Sequence, residues 1–443
     1  MKLKQLFISS YKNLGSLEIE FEKNSSVNVF IGKNGAGKSN ILEVIALIFS
    51  RLNERKEINE FQFDIQYFID DSIYRIENLT TEKMVITRNG IKLSKKDFIK
   101  ALPKAIFLYY CGETDRLKKI SSSYEDIMFN KLIKNGDEFR MKFLSYITVK
   151  DFGIALISNA VYKTQALKEV CNLTEITDVS FNVKFKFKRP SWSKNGAVDD
   201  FWNAKGSVKS AIQELIDVSP LNNIKVIDRD NVEIVVSDIN KLADRMHDAT
   251  TMFIMFKMLM QSDILDDVYY EVKKNGRTFD YHYLSEGEKQ LSQLLSIIEL
   301  TKEYKALFLL DEFDAYLHPN WQRKFTSLLN NVDIRGQILI TTHSPLTLGK
   351  MRKENVRLIS NGEIHDITVD PFNRDSSQIM EEIMKVTGRP IEVKREIKEF
   401  NKASLRGEKD KMLSIQKKLE ILLTPDDPFF ITINAALRRL EDR

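Results

Sequence analysis

A glycine-rich loop between two apolar runs constrains this chain more than any other feature. Residues 31–40, IGKNGAGKSN, follow the run VNVF and precede the run ILEVIALIF. This order predicts a strand, a loop and a helix, and the three glycines allow backbone N–H groups to turn inward around an anion. Lys38 would then reach the β- and γ-phosphates of a nucleotide, and Ser39 would ligate Mg²⁺. The alternative is a plain glycine turn with a solvated lysine, which the flanking patterns disfavour.

Composition favours a protein with a real core and no disulfide framework. The 443 residues suggest about three domain-sized units, and 43% of them are hydrophobic. With 67 basic and 63 acidic residues the net charge is only +4, so nucleic-acid binding would need local patches. Cys111 and Cys171 fit no disulfide or metal-ligand spacing. Because no long apolar segment is present, we expect a cytoplasmic protein that does not use a membrane.

The first 120 residues predict strands around the loop. KLKQLFIS, SLEIEFE and SVNVFI precede it, residues 61–75 alternate again after its helix, and residues 84–90 predict a hairpin. Residues 11–13, Tyr-Lys-Asn, lie where a nucleoside could rest, although a plain turn explains them equally well. Gln62 and Gln66 are candidates for a glutamine that senses Mg²⁺, but glutamines are common in strands.

From about residue 115 to 280 the pattern changes to longer helical segments, such as 124–147 and 154–173. One strand, FNVKFKFKR at 181–189, interrupts them and places its apolar residues on one face and three lysines on the other. An ordinary solvated face explains the lysines better than a stripe that contacts phosphates. We take this region as an inserted, largely helical lobe.

A second chemical cluster begins with LSEGEKQ at 284–290, which opens an amphipathic helix. Ser285 fits an N-cap with Glu288 three residues later, so a well-capped helix is a sufficient local explanation. The apolar run ALFLLDE follows soon after and ends in Asp311 and Glu312. Ligands bind at the carboxyl ends of strands in open α/β sheets, where an Asp can hold Mg²⁺ and a Glu can polarise water.

The next predicted strand, 337–340, ends in the sequence TTHSP. A single histidine is more often structural than functional. His343, however, ends the strand that follows the two carboxylates, and from there it can hydrogen-bond a γ-phosphate.

Taken together and in this order, these segments resemble the nucleotide motifs of the ABC-type ATPase superfamily. GKNGAGKS matches the Walker A motif, LSEGEKQ the signature, LFLLDEFDAYLHP the Walker B motif with its D-loop, and TTHSP the switch histidine. The resemblance covers about residues 1–120 and 270–350. It implies an α/β fold, namely a P-loop ATPase head with a mixed sheet and flanking helices, which carries the inserted lobe and a C-terminal helical hairpin.

The same resemblance implies ATP and Mg²⁺ as cofactors and gives each motif a role. Ser39 and Asp311 would hold the metal, Glu312 would be the catalytic base, and His343 would sense the γ-phosphate. Ser285 and Gly287 would contact a nucleotide held by the opposite subunit, in a head-to-tail dimer with two ATP molecules between subunits or in a higher oligomer. The nucleotide-binding residues of the Walker A loop would be Asn34, Gly35, Ala36, Gly37, Lys38 and Ser39.

Motif spacing separates the branches of this superfamily. More than two hundred residues lie between Ser39 and Ser285, and Glu286 stands where transporter subunits usually have glycine. This pattern resembles the branch that contains RecF, the SMC proteins and the OLD nucleases and disfavours a transporter motor. Only 100 residues follow His343, and they show no carboxylate clusters for a nuclease.

The outer motifs YYCGETDRL, KRPSW and DDPFF most resemble ATPase subunits of bacterial anti-phage systems. The Septu ATPase, which works beside an HNH nuclease, is the nearest of these, and the PARIS ATPase is an alternative. We therefore expect a slowly hydrolysing ATPase that senses a trigger and controls a separate effector nuclease without nuclease activity of its own, with DNA as a further candidate ligand. The alternative is a RecF- or SMC-like clamp for DNA repair or chromosome maintenance, without an effector.

We expect four segments. Residues 1–120 and 276–370 would form the two parts of the ATPase head, 121–275 the inserted lobe, and 371–443 a helical region. An apolar stripe in the last segment is a candidate docking surface for the effector, and packing onto the ATPase lobe explains it equally well. The stripe consists of Ile391, Val393, Ile397, Phe400, Met412, Ile415, Leu419 and Leu422.

Overall fold

The chain divides into a larger unit, Met1–Arg374, which carries all the nucleotide motifs, and a helical unit, Asp375–Arg443. The structure is a computed structural model that describes residues 1–79, 83–94, 97, 101–112, 114–122, 143–331, 333–385 and 389–441. Cys111 and Cys171 are both free thiols. None of the helices in these ranges is long and apolar enough to cross a membrane.

The strands of the described residues form four sheets. In chain order they are β1 Lys2–Ile8, β2 Leu17–Glu20, β3 Val27–Ile31, β4 Phe63–Ile69, β5 Ser72–Glu77, β6 Val85–Arg88, β7 Ile91–Lys92, β8 Ala105–Tyr110, β9 Phe143–Tyr146, β10 Ile176–Val179, β11 Val183–Lys188, β12 Ile224–Val226, β13 Asn231–Val236, β14 Leu265–Tyr269, β15 Glu271–Lys274, β16 Arg277–Asp280, β17 Leu307–Asp311, β18 Gln337–Thr342, β19 Val356–Ser360 and β20 Glu363–Asp366.

Helices flank these sheets and also make up the second unit. In chain order they are α1 Lys38–Glu54, α2 Asp151–Val161, α3 Gln165–Thr174, α4 Gly206–Asp217, α5 Asn240–Ala243, α6 Ala249–Gln261, α7 Glu286–Leu300, α8 Pro319–Asn331, α9 Ser376–Gln378 with a π-helical continuation Ile379–Ile383, α10 Ile391–Arg406, α11 Lys409–Leu422 and α12 Phe429–Glu441. Residues 116–122 are also helical. Short 3₁₀ helices lie at Val198–Asn203, Leu221–Asn223, Tyr281–Tyr283, Lys302–Tyr304, Pro345–Leu348 and Lys353–Asn355.

The central sheet positions the site. Its order is β20-β19-β3-β18-β17-β8-β9, and every neighbouring pair is parallel except β20 with β19. The register places Asp311 beside Tyr110 on one side and beside Thr341 on the other, and Thr341 beside Phe30. The carboxyl ends of β3, β18 and β17 therefore meet at one edge of the sheet, which is where open α/β sheets bind ligands.

A six-stranded antiparallel sheet, β2-β1-β4-β5-β6-β7, shares one hydrophobic core with α1 and the central sheet. Leu6, Ile45 and Leu309 come from these three elements and are fully buried together. The strands predicted around the phosphate loop are present. The predicted hairpin is also present, and Asn89 and Gly90 form its turn with positive φ angles of 49° and 81°.

The region predicted as a largely helical lobe contains two small sheets besides its helices. The sheets have the orders β12-β13-β11-β14 and β10-β15-β16. The alternating apolar residues of NVEIVV explain why β13 is a strand. The sequence analysis did not predict this strand because so short a run lies between longer helical patterns. Most of the helix predicted at 124–147 lies outside the described residues, and the end that is described is β9 rather than a helix.

Two of the three lysines of β11 pair with carboxylates of the same lobe. The strand buries Phe185 and Phe187, as its alternation predicts. On the opposite face, Lys184 Nζ lies 3.6 Å from a Glu233 carboxylate oxygen, and Lys188 Nζ lies 2.8 Å from Asp263. Both ammonium groups therefore have a carboxylate partner within the lobe.

In the second unit, helices α10, α11 and α12 pack around a common core. Its core contains Val393, Phe400, Met412, Ile415 and Leu419, together with Ile433 of the last helix. Most of the predicted docking stripe is thus buried inside this unit. The sequence left this open because an amphipathic pattern indicates that a face is covered but not which element covers it. The stripe residues Ile391 and Leu422 remain 84% and 41% exposed.

Candidate functional site

The phosphate loop joins β3 to α1 and leaves the first amides of the helix free for an anion. Gly35 and Gly37 have φ angles of 76° and 109°, which side chains other than glycine's rarely allow. A Cβ on Gly37 would also lie 2.5 Å from Leu14 Cδ2. Gly37 is the N-cap of α1 and provides no side-chain hydrogen bond to it. These N-terminal amides and the helix dipole form an anion-binding site.

Lys38 is held over this loop. Its side chain is almost fully buried, and its Nζ donates to the backbone oxygens of Gly32 at 2.9 Å and Lys33 at 3.1 Å. Burial lowers the pKa of Lys38, while the carboxylates of Glu312 and Asp311 oppose that shift. Phosphate oxygens would offer the same ammonium group a stronger, charge-assisted set of acceptors.

Ser39 and Asp311 form the candidate Mg²⁺ site. Ser39 Oγ donates to Asp311 Oδ1 at 2.8 Å, and the Thr341 hydroxyl donates to the same oxygen. Burial raises the pKa of the Asp311 carboxyl, and the two hydroxyl donors partly counteract this. Within the described ranges no group of three or more His, Cys, Asp or Glu side chains could hold a metal. A pair of oxygen ligands fits Mg²⁺, which completes its shell with phosphate oxygens and water.

Glu312 has an unusual backbone conformation directly after β17. Its φ is 49°, a left-handed value that is uncommon for residues other than glycine and concentrates at functional sites. The Glu312 N–H donates to both the backbone oxygen and the Oγ1 of Thr341, each at 3.1 Å. Thr341 therefore fixes the metal carboxylate and the backbone of the next residue at the same time.

His343 links the phosphate-binding lysine to the second carboxylate. Its Nδ1 lies 2.9 Å from Lys38 Nζ, and its Nε2 lies 3.0 Å from Glu312 Oε1. Because an ammonium group can only donate, Nδ1 must accept, and Nε2 then carries the proton that is donated to Glu312. The three predicted residues thus form one hydrogen-bonded chain along the floor of the site.

Sequence reasoning missed the role of Asp314. This carboxylate is 3% exposed and accepts from Thr342 Oγ1 at 2.5 Å and Thr347 Oγ1 at 2.6 Å. Burial raises the pKa of Asp314, and the two hydroxyl donors oppose the shift. It ties the loop after β17 to the segment that carries His343. The available sequence signal was an aspartate three positions after Asp311, which ends the predicted strand.

The loop between β1 and β2 contacts the phosphate loop and α1. Asn13 Nδ2 donates to Gly35 O at 2.5 Å, and its Oδ1 accepts from Asn40 Nδ2 at 2.6 Å. Tyr11 OH donates to Glu43 Oε1 at 2.9 Å, so its ring is held against α1. The loop therefore supports the phosphate loop directly, through contacts that no sequence pattern indicated.

Among the described residues, neither glutamine candidate hydrogen-bonds to the phosphate loop. Gln66 Nε2 donates to Gln5 on the neighbouring strand at 3.0 Å. Gln62 is exposed directly before β4. The structure therefore does not place either residue as a Mg²⁺ sensor in this chain.

The signature segment lies at the start of α7 with the predicted capping box. Ser285 Oγ accepts from the Glu288 N–H at 3.4 Å, and the Glu288 carboxylate accepts from the Ser285 N–H at 2.9 Å. Gly287 packs against α8, where a Cβ would lie 3.1 Å from the Trp321 ring. In the part of the chain that the structure describes, neither Ser285 nor Gly287 hydrogen-bonds to the phosphate loop. The structure thus assembles the Walker and switch residues but leaves the signature apart from them.

The sequence of this chain matches one protein family across all the nucleotide motifs. The family described as "AAA domain, putative AbiEii toxin, Type IV TA system" matches residues 27–349, which is most of the chain. The chain belongs to this family. The match begins at β3, before the phosphate loop, and ends after His343.

Several known proteins are similar over nearly their full length. The "Retron Vc95 probable ATPase" of Vibrio cholerae is 25% identical over 93% of this chain and 85% of its own length. The Septu protein PtuA of Bacillus thuringiensis is 23% identical over 96% and 95%, and RecF of Lactobacillus acidophilus is 25% identical over 77% and 92%. Among solved structures, the SMC head domain from Thermotoga maritima covers 83% of this chain and 100% of its own, with 16% identity and a TM-score of 0.39. The predicted membership among ABC-type ATPases of anti-phage systems is confirmed.

Proposed function

We propose that this chain is an ATP-binding and slowly hydrolysing subunit of an anti-phage defence complex, which senses a trigger and controls a separate effector nuclease. The observation that carries the proposal is the continuous set of contacts from Ser39 and Asp311 to the Lys38–His343–Glu312 chain. The names of the retron and Septu relatives support the biological setting.

In this proposal the phosphate loop, residues 34–39, binds the triphosphate of ATP with its amides and with Lys38. Ser39 and Asp311 hold Mg²⁺, which offsets the negative charge on the phosphate oxygens when it is bound. Glu312 acts as the general base for the attacking water, and His343 contacts the γ-phosphate. Binding must break the bond between Lys38 and His343, because both side chains turn to the nucleotide.

We further propose that two copies assemble head to tail around two ATP molecules, alone or within a higher oligomer. Ser285 and Gly287 would then contact ATP held by the other copy, which agrees with their separation from the phosphate loop of their own chain. Residues 1–120 and 276–370 would form the head, residues 121–275 an inserted lobe, and residues 371–443 a helical region outside it.

The effector is proposed to be an HNH-type nuclease, and the chain itself is proposed to cleave no DNA. Asp311 and Glu312 are committed to the nucleotide, and the described residues offer no further carboxylate cluster for a metal nuclease. Apolar side chains on the outside of the helical unit remain available for a partner. Leu405 and Ile421 are 89% and 85% exposed there.

Co-purification with the nuclease from the adjacent open reading frame tests this division of labour. The chain alone, with ATP and Mg²⁺, should leave DNA intact, and Leu405→Asp/Ile421→Asp should lose the nuclease while still binding ATP. Leu221→Asp is a matched control, since Leu221 is 87% exposed in the other unit. DNA cleavage by the isolated chain that disappears in a Glu312 variant would contradict the proposal.

A second candidate is a RecF-like clamp that closes on DNA without an effector. The similarity to RecF over 92% of that protein's length favours it. ATP-dependent retention of DNA by the isolated chain, with no nuclease neighbour in complex, would support the clamp. Tight association with a nuclease and no ATP-dependent DNA binding would support the defence subunit.

A further inference from the structure

Helix α6 carries a single charge in the middle of an apolar sequence. Its 13 residues, ATTMFIMFKMLMQ, contain Lys257 as the only ionisable side chain. Lys257 is 6% exposed, and its Nζ lies 2.6 Å from the Oδ2 of Asp151, which is 1% exposed. Apolar side chains can often replace a buried ion pair at no cost in stability, so stability alone does not explain this pair.

The ion pair is attached to the central sheet. Lys257 Nζ also donates to the backbone oxygen of Tyr146, the last residue of β9, at 3.3 Å. The hydroxyl of Tyr146 donates in turn to the backbone oxygen of Tyr110 at 3.2 Å. Tyr110 ends β8 and lies beside Asp311 in the sheet register. The ammonium group of α6 is therefore connected to the sheet edge that carries the candidate Mg²⁺ ligand.

The same ion pair is attached to the signature helix α7. Asp151 begins α2, and its Oδ2 accepts from the Thr148 N–H at 2.7 Å and from the Thr148 Oγ1 at 3.2 Å. The backbone oxygen of Thr148 accepts from the side-chain amide of Gln293, a buried residue of α7 about two helical turns after Ser285. We call the series Lys257, Asp151, Thr148 and Gln293 the α6–α7 link.

The α6–α7 link borders a polar cavity of about 290 Å³. The other charged groups around this cavity are paired: Lys188 Nζ lies 2.8 Å from Asp263, and Lys150 Nζ lies 3.1 Å from Asp266. The space beside Lys257 allows its ion pair to open without displacing a packed core. The link is therefore a contact that can be made and broken in the folded chain.

We propose that Lys257 positions the signature helix for ATP hydrolysis through the α6–α7 link. Because one ammonium group holds both Asp151 and Tyr146, it fixes the start of α2, and with it Gln293, relative to the central sheet. The inference rests on the proposed role of the signature in hydrolysis and adds a positioning residue that lies outside the nucleotide motifs. A molecule that binds the inserted lobe and moves α6 would change hydrolysis by this route.

The test measures ATP hydrolysis by full-length chains with two substitutions, alone and together. Lys257→Met removes the ammonium group but keeps a long side chain, and Gln293→Leu removes the amide at the other end of the link. Each should lower kcat about tenfold and leave the affinity for ATP unchanged, because neither side chain contacts the phosphate loop. The double variant should be no slower than the slower single variant, since both changes break the same link.

Asn159→Leu is the matched control. Asn159 is fully buried in α2 and donates to the backbone oxygen of Ser296 in α7 at 3.4 Å, a contact between the same two helices that does not involve Lys257. Combined with Lys257→Met, it should give the product of the two single effects.

A further variant separates positioning from folding, because Lys257→Met leaves the Asp151 carboxylate buried without its partner. Lys257→Met/Asp151→Leu replaces the whole pair by apolar side chains and should keep a thermal midpoint close to that of the wild type. Its kcat should nevertheless stay about tenfold below the wild-type value, since the link is still broken.

Steady-state ATPase assays, together with calorimetric ATP affinities and thermal midpoints, separate the outcomes. Multiplying effects of Lys257→Met and Gln293→Leu would overturn the inference, and so would wild-type hydrolysis in the variant with the apolar pair. A decline in kcat that only follows the thermal midpoint would also overturn it, because the pair would then serve folding. A Ser285→Arg chain as active as the wild type would contradict the proposed role of the signature itself, before any change in the link.

Discussion

The phosphate-loop side and the signature side of this ATPase head differ in how fully one chain completes them. On the first side, hydrogen bonds join the loop, both carboxylates and the switch histidine at a single sheet edge. On the second, Ser285 bonds to its own helix, while Tyr283 faces solvent. This difference is what the proposed head-to-tail dimer requires, in which one chain binds ATP and a second chain supplies groups that hydrolysis needs.

Glu312→Gln should have the largest effect on the phosphate-loop side. The amide keeps the shape of the side chain but cannot accept a proton, so ATP hydrolysis should fall about 10²- to 10⁴-fold while ATP binding persists. Phosphate release measured against ATP affinity checks this. Glu354→Gln, at an exposed position away from the site, is the matched control. Retained hydrolysis in the Glu312 variant would remove this residue from the reaction.

Lys38→Ala should abolish useful ATP binding. The loop loses its buried cation, and with it at least two charge-assisted hydrogen bonds to phosphates, so the affinity should fall at least about 100-fold. Isothermal titration calorimetry measures the change. Lys33→Ala serves as the control, because Lys33 lies in the same loop with an exposed side chain. Wild-type affinity in the Lys38 variant would refute the placement of the nucleotide.

Thr341→Val tests how the two carboxylates are held. The hydroxyl donates to Asp311 and accepts from the Glu312 N–H, so its loss should lower hydrolysis about tenfold and weaken the apparent affinity for Mg²⁺. A Mg²⁺ titration of ATPase activity reports both changes. Thr326→Val is the comparison, since that buried hydroxyl has no hydrogen-bond partner among the residues that the structure describes. Identical titrations for the Thr341 variant and the wild type would show that the contact is dispensable.

His282 should give the smallest effect, on the signature side. Hydrogen bonds to Asp267 and then Asp280 raise the pKa of His282 above its ordinary value of 6.5, although burial opposes them. A raised pKa in the folded state stabilises the fold fully below pH 6.5 and loses that contribution as the pH rises through the folded-state value. The thermal midpoint should therefore decline across this window and decline less in His282→Gln. Parallel pH profiles would contradict this contribution.

The sequence predicted the phosphate-loop side well because each motif is local and the rule for parallel strands then brings their ends together. Lys38, Asp311 and His343 could be expected to meet without knowledge of the strand order. Contacts between distant residues gave no such signal. The bonds from Asn13 to Gly35 and from Asp314 to Thr347 join side chains that no spacing rule connects.

The remaining misses have equally physical causes. Strand β11 was predicted, but strands of three to six residues, such as β12 and β13, are short beside the helices of the same region, so the two small sheets were not predicted. In the helical unit, the amphipathic pattern correctly indicated a buried face. The pattern could not show that α12 helps to cover this face. Ile433 of α12 lies in the same core, so most of the face is covered within the unit and not by a docked partner.

Mixing two inactive variants tests the composite site most directly. Lys38→Ala disables the phosphate-loop side and Ser285→Arg the signature side, so each alone should hydrolyse no ATP. An equal mixture should regain about one quarter of wild-type activity, since half of the randomly formed dimers are mixed and each keeps one of two sites. Lys38→Ala mixed with Glu312→Gln should stay inactive, because both changes disable the same side. An inactive first mixture, or a Ser285→Arg chain that is active alone, would contradict a site shared between two chains.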